Sequence, residues 1–152
     1  MSAPVLLDVN VLVALFDPDH VHHEAAHDWF ADLREDGWAT CAVTENGFVR
    51  VLSNPAYAAP LSRPAGLVER LRQLCASGHH TFWPDTVSLR DARLFNAAMI
   101  RGSRQVTDIY LLGLAKKMGG CLATFDRSIP LSGVVGANHN TLAVISITAE
   151  SG

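Results

Sequence analysis

The sequence predicts an α/β fold, a three-layer α/β/α domain on a central parallel sheet. Five short apolar runs with strand character alternate with segments of helical periodicity. Parallel strands require such crossovers, and strands covered on both faces read as near-continuous apolar runs. No internal repeat, low-complexity stretch or linker divides the 152 residues, so residues 1–152 are read as a single domain.

"PVLLDVN" is the first strand, ending at Asp8, with a helix from about Val11. "DPDH" (17–20) is a turn. Residues 22–35 form an amphipathic helix with Ala25, Ala26, Trp29, Phe30 and Leu33 inward. "WATCAV" (38–43) is the second strand, and Thr44 caps a helix whose Phe48, Val51 and Leu52 face the core until Asn54-Pro55 stops it. A loop with Tyr57 and Pro60 leads to a helix opened by Ser62 and Pro64 and closed by Ser77-Gly78. "HTFWP" (80–84) is the third strand. Ser88 and Asp91 resemble a capping box, which predicts a helix to about Arg101-Gly102. Thr107 caps "DIYLLGLAKKM", which Gly119-Gly120 ends with two lysines in its last turns, where the dipole favours cations. "CLATF" (121–125) and "TLAVIS" (141–146) are the fourth and fifth strands.

The apolar N-terminus lacks a basic flank and is interrupted by Asp8 and Asn10, so it reads as structure and not as a signal peptide. No run approaches the roughly 20 apolar residues of a membrane span. Cys41, Cys75 and Cys121 are an odd number with no C-x-x-C pair, which points to reduced thiols and a cytoplasmic location. The net charge of −3 does not by itself indicate nucleic acid. Its distribution is uneven: acids dominate residues 1–36, whereas bases, mostly arginine, dominate residues 50–127. Arginine suits bidentate phosphate contacts, which makes Arg50, Arg63, Arg101, Arg104 and Arg127 candidates for them.

Ligands of open parallel sheets bind beyond the carboxyl ends of the strands. Asp8 ends the first strand, Glu45 lies in the first turn after the second, and Asp126 follows the fourth. Asp108 opens a helix that runs antiparallel to the sheet and so starts at that edge. Each acid alone has a plainer reading as a helix start or a turn residue. Asp8, set between "VLL" and "VNVLV", has little structural reason to be there. Two carboxylates ~5 Å apart repel by roughly 3 kcal/mol at an effective dielectric of about 20. Crowded acids therefore take up protons or bind a cation, and carboxylate ligation suits Mg²⁺ or Mn²⁺. Such an ion is suited to phosphodiester hydrolysis.

A competing pattern is His23-Glu24-Ala25-Ala26-His27, the H-E-x-x-H of zinc peptidases. The i,i+4 spacing puts both histidines on one helix face. The glycine and third histidine of one zincin class are missing from the "DWFADLRE" that follows, and a buried strand separates the helix from Glu45. Two solvated histidines on an acidic helix account for the match.

"LLDVNVLVALF", "TENGFVRVLSNP", "QVTDIYLLGLA" and "LATFDRSI", in this order and spacing, resemble the PIN-domain ribonucleases, specifically the VapC toxins of toxin–antitoxin pairs, from about residue 5 to 146. The resemblance implies that Asp8, Glu45, Asp108 and Asp126 are an acidic quartet around Mg²⁺ or Mn²⁺, with Asn10 and Thr107 as polar supports. It implies endoribonuclease cleavage of structured RNA, with a tRNA or rRNA loop as the expected target. It further implies restraint by a cognate antitoxin, and a homodimer is expected. A PIN fold used only for binding is the alternative within the family; the presence of all four acids speaks against it.

Overall fold

The computed structural model describes residues 4–57, 63–76 and 78–147. Pro60, Ser62 and Ser77 lie outside them. In chain order the elements are β1 (Val5–Leu7), α1 (Val9–Phe16), α2 (His23–Leu33), β2 (Trp38–Cys41), α3 (Ala42–Ser53), α4 (Pro64–Cys75), β3 (His80–Trp83), α5 (Val106–Lys117), β4 (Cys121–Thr124) and β5 (Leu142–Val144). The five strands are all parallel, in the order β3-β2-β1-β4-β5. The chain therefore winds outward from β1 in one direction and returns to its other side at β4. The β1/β4 boundary is the topological switch point, where crevices open at the carboxyl edge of such sheets.

Alternation along the strands assigns the layers. Val5 and Leu7 of β1, with Trp38 and Ala123, pack against α1, α2, α3 and α4. Leu6, Ala39, Cys41 and Leu122 point the other way, towards α5 and the loop residues Leu94, Phe95, Ile129 and Val134. Helix α5 is buried along most of its length and ends as expected. Gly120 N–H donates to Ala115 O at 2.9 Å and Gly119 N–H to Lys116 O at 3.1 Å, a Schellman pair. Gly119 has φ +75°, and a Cβ on Gly120 would lie 2.1 Å from Pro4 O, so this turn needs both glycines.

Four local expectations are corrected. Helix α1 starts at Val9 because Asp8 is its N-cap. Helix α3 starts at Ala42, directly after β2; Thr44 sits in its first turn, where its hydroxyl accepts from Cys41 N–H at 3.0 Å. Helix α5 starts at Val106, so Thr107 lies within the first turn and does not cap it. The expected helix from Ser88 to Arg101 is absent. Ser88 and Asp91 do start a turn, in which Leu94 and Phe95 donate to Asp91 O. Asn96 N–H then donates to Gly133 O at 2.9 Å and Leu94 O accepts from Val135 N–H at 2.8 Å. These tertiary bonds take the groups a helix would use, and only a short 3₁₀ turn (Ala97–Met99) follows.

Phe95 is buried and lies against Gly113 of α5, where an added Cβ would stand 2.2 Å from its ring. Gly113→Ala is expected to destabilise the protein by about 1–3 kcal/mol through overpacking. A lower urea midpoint at unchanged slope would show it; an unchanged midpoint would mean that Phe95 moves freely.

Candidate active site

Asp8, Asn10, Asp108 and Asp126 line one open cavity of about 400 Å³ at the carboxyl edge of β1 and β4, together with Val9, Val13, His20, Val51 and Tyr57. Asp8 extends the sheet: its N–H donates to Ala123 O at 2.9 Å. Its side chain is buried and held from two sides. Oδ1 accepts from Val9 N–H at 2.7 Å and Oδ2 from the Thr124 hydroxyl at 2.8 Å.

Thr124 ends β4 and is wholly buried. Its hydroxyl proton goes to Asp8, and its oxygen accepts from Asn10 Nδ2 at 3.2 Å and from Asp126 N–H at 3.1 Å, which uses its full capacity. Because Thr124 donates to Asp8, Asn10 must turn its NH₂ to Thr124. Asn10 Oδ1 is left buried with no partner. Asp126 forms an Asx turn in which Oδ1 accepts from Ser128 N–H at 2.8 Å and Ser128 Oγ at 2.6 Å. Asp108 comes from the first turn of α5 and is half-buried.

No cation balances these acids: among the described residues the ion pair formed is Arg72 with Glu69. Asp108 and Asp8 respond by holding their protons more tightly. Burial, and then the neighbouring Asp8 and Asp126, push Asp108 up to about 6. Burial also raises Asp8, opposed by the Thr124 and Val9 hydrogen bonds and reinforced by Asp126.

Glu45 is not brought to this cavity. Gly47 packs against Val9 and Phe48 against Phe16, so this side of α3 faces α1. Glu45 lies about 100° or more round the helix from Thr44, Gly47 and Val51. It points to α4 and β3 instead, accepts from the Thr40 hydroxyl at 2.6 Å, and lines a different cavity with Val68, Leu71, Arg72 and Cys75. Burial and then Glu45 push the Cys75 thiol up to about 11. Thr107 is exposed and is not part of the first cavity's wall. Arg50, Arg63, Arg101, Arg104 and Arg127 are all exposed; Arg104 precedes Asp108 by four residues and Arg127 adjoins Asp126.

Of the H-E-x-x-H histidines, His27 is exposed, as the sequence suggested, and His23 half-buried, and both also have a structural task. His23 Nδ1 lies 2.7 Å from Ala14 O and His27 Nε2 2.9 Å from Leu15 O. Both are carbonyls of the last turn of α1, which lack helical partners. The rings thus bind α2 to the end of α1.

Thr124, Tyr57, Asp17 and His20 do not stand out in the sequence as residues of the site. Thr124 was legible only as a polar residue inside an apolar strand. Tyr57, a loop residue in the sequence, lines the cavity and donates its hydroxyl to the buried Asp17, which in sequence reads as a turn residue. Burial and this bond push Tyr57 up to about 12, and the same bond lowers Asp17. His20 Nδ1 accepts from His22 N–H at 3.0 Å, so the neutral ring carries its proton on Nε2.

A PIN domain family model matches residues 5–131. Ribonuclease VapC44 of Mycobacterium tuberculosis is 46% identical over 140 residues, covering 92% of this chain and 98% of that protein. Ribonuclease VapC39 of the same species is 42% identical over 131 residues, with 86% and 94% covered. Ribonuclease VapC38 is 45% identical over 127 residues, with 82% and 86% covered.

Two predictions follow from this geometry. Thr124→Val would leave Asp8, Asn10 and Asp126 each short of a partner and is expected to cost about 1–3 kcal/mol; Thr124→Ser, which keeps the hydroxyl, should cost markedly less in the same denaturation assay. The second concerns pH. With a folded value of about 6 against an ordinary 3.8, Asp108 keeps its proton in the folded state while the unfolded chain loses it. Its contribution to stability therefore falls as pH rises from about 4 to about 6 and stays unfavourable above. In EDTA at pH 7, Asp108→Asn should melt above wild type, with the gap closing towards pH 4; a lower Tm at pH 7 would contradict this.

Proposed function

The chain belongs to the PIN domain family, alongside the VapC ribonucleases, and from that premise we propose that its three-aspartate cavity makes it a metal-dependent endoribonuclease. The observation that carries this reading is the convergence of Asp8, Asp108 and Asp126 on one cavity with no cation beside them. The donor set fits a hard divalent ion, Mg²⁺ or Mn²⁺: three carboxylates and the unpartnered Asn10 Oδ1 are all oxygen. As a set the aspartates are wider than a 4.8 Å mutual spacing, since only Glu45, Cys75 and His80 meet it among the described residues. That suits Mg²⁺, which keeps several waters and rarely takes an all-protein cage. A bound ion supplies Lewis acidity and a water of lowered pKa.

The remaining work falls to the chain. Asp8 is fixed by two hydrogen bonds, so it offers its remaining lone pairs with little reorganisation. Asp126 keeps Oδ2 for the site while its turn holds Oδ1. Val9, Val13 and Val51 form an apolar wall that limits water, and His20 presents Nε2–H as a neutral donor for a phosphate oxygen. The exposed arginines near Asp108 and Asp126 would attract the RNA backbone. Glu45 is not carried into the metal set, because it faces another cavity.

The substrate we propose is a tRNA or rRNA loop, since splayed bases are what sequence-specific RNA readers grip. The resemblance to VapC toxins supports a cognate antitoxin that covers the cavity and offers an Arg to the carboxylates; it also supports a cytoplasmic homodimer with one domain per chain. No helix among the described residues is long and apolar enough to cross a membrane.

Asp8→Asn and Asp108→Asn should each slow RNA cleavage by roughly 10²–10³-fold, the loss of about 3–4 kcal/mol of electrostatic stabilisation. Asp126→Asn should follow to a smaller extent, while Glu45→Gln should stay within a few-fold of wild type. EDTA should stop cleavage and Mg²⁺ or Mn²⁺ restore it. Cleavage mapping on total RNA reads both rate and target. Near-full, EDTA-sensitive activity in both Asp8→Asn and Asp108→Asn would place the ion elsewhere.

A further inference from the structure

The aspartate cavity is acidic at one end and apolar at the other. Val9, Val13 and Asp17 recur every four residues along α1 and its C-cap, so they face one way in steps of roughly 6 Å. Asp8, Asp108 and Asp126 gather where α1 begins. Tyr57 stands where α1 ends, because its hydroxyl meets the C-cap residue Asp17. Val13 lies between, and Val51 from the last turn of α3 completes the wall. Resting on the reading of this cavity as a ribonuclease site, we propose that Tyr57, Val13 and Val51 form a stacking platform for one nucleobase beside the scissile phosphate. Asp17 is the residue that positions the Tyr57 ring.

The ring is fixed from two sides. Asn54 ends α3, and a turn follows in which Tyr57 N–H donates to Asn54 O and Ala56 N–H to Asn54 Oδ1, both at 2.9 Å. At the other side the Tyr57 hydroxyl donates to Asp17 Oδ2, while Asp17 Oδ1 accepts from Asp19 N–H at 2.9 Å. Asp17 is buried, so the carboxylate that holds the ring is itself held. Tyr57 is half-buried and keeps part of its surface on the cavity. A ring already immobilised loses little freedom when a base stacks on it.

What this end can bind follows from its chemistry. The valines offer no hydrogen bond, and the tyrosine proton is committed to Asp17. No Lys or Arg among the described residues pairs with Asp17, so a phosphate is repelled there. A base, by contrast, has a π-face for the ring and an apolar edge for the valines. With the phosphate at the aspartate end, the sugar and base of its nucleotide lie along Val13 towards Tyr57. Stacking accepts any base, because every base has a π-face. The platform therefore anchors a nucleotide without choosing its identity.

The test compares short RNAs that carry the mapped cleavage site, in which each of the two nucleotides flanking the scissile phosphate is replaced in turn by an abasic ribonucleotide. In the wild type, one of the two replacements should raise KM roughly 5–150-fold, the equivalent of about 1–3 kcal/mol of stacking per base. Exchanging that base for another should change KM only a few-fold. Tyr57→Ala should raise KM for intact RNA by a similar factor, leave kcat within a few-fold, and treat intact and abasic RNA alike. Tyr57→Leu, which keeps bulk without a π-face, should do the same if the alanine variant does not fold. Asp17→Ala should narrow the difference between intact and abasic RNA, and Asp17→Asn, which still offers an oxygen to Tyr57, should restore most of it. A variant that is merely less stable would slow both RNAs equally. A wild type indifferent to both abasic positions overturns the proposal, as does an abasic penalty that survives undiminished in the Tyr57 variants. A protein that cuts no RNA with Mg²⁺ or Mn²⁺ present would sink the ribonuclease reading instead. The platform is then tested by binding alone: 2-aminopurine in a short single-stranded RNA should be quenched by the wild type in EDTA and not by Tyr57→Leu, and equal quenching, or none, refutes it.

Discussion

The hydroxyl of Thr124 is the contact on which the aspartate cavity depends. It donates to Asp8 and accepts from Asn10 and from the backbone of Asp126, so a single buried oxygen sets three of the cavity's residues. A hydroxyl is the smallest group that both gives one proton and takes two, and Thr adds a branched Cβ that suits a strand. The direction of its proton decides the rest. Since Asp8 takes it, Asn10 turns its amide nitrogen inward and leaves its carbonyl oxygen without a partner. That unpaired oxygen is costly in a folded protein unless something binds it.

The sheet order explains why this contact exists. Asp8 and Thr124 end adjacent strands at the point where the winding direction reverses, and α1 and α5 begin near that edge from opposite layers. Asp8 serves both as the last ladder residue of β1 and as the cap of α1, which fixes its carboxylate without a rotamer search. Asp108 arrives from α5 without comparable support, and burial with the neighbouring acids pushes its carboxyl up to about 6. The fold therefore tolerates carboxylates that repel one another, a form of local strain expected where function and not stability selects the residues.

The layer arrangement, all five strands and the convergence of Asp8, Asp108 and Asp126 were legible in the sequence because they follow from chain order and local pattern. Apolar runs, crossover length and the carboxyl-edge rule are enough to bring strand ends and helix starts to one edge. Three features were not legible, each for a physical reason. The direction of Glu45 depends on which side of α3 meets α1, and that is set by a glycine against Val9 and a ring against Phe16. The helix expected after Ser88 yields to backbone bonds with residues 133–135, which local propensity cannot foresee. The roles of His23 and His27 require knowing that the last turn of α1 lies beneath them.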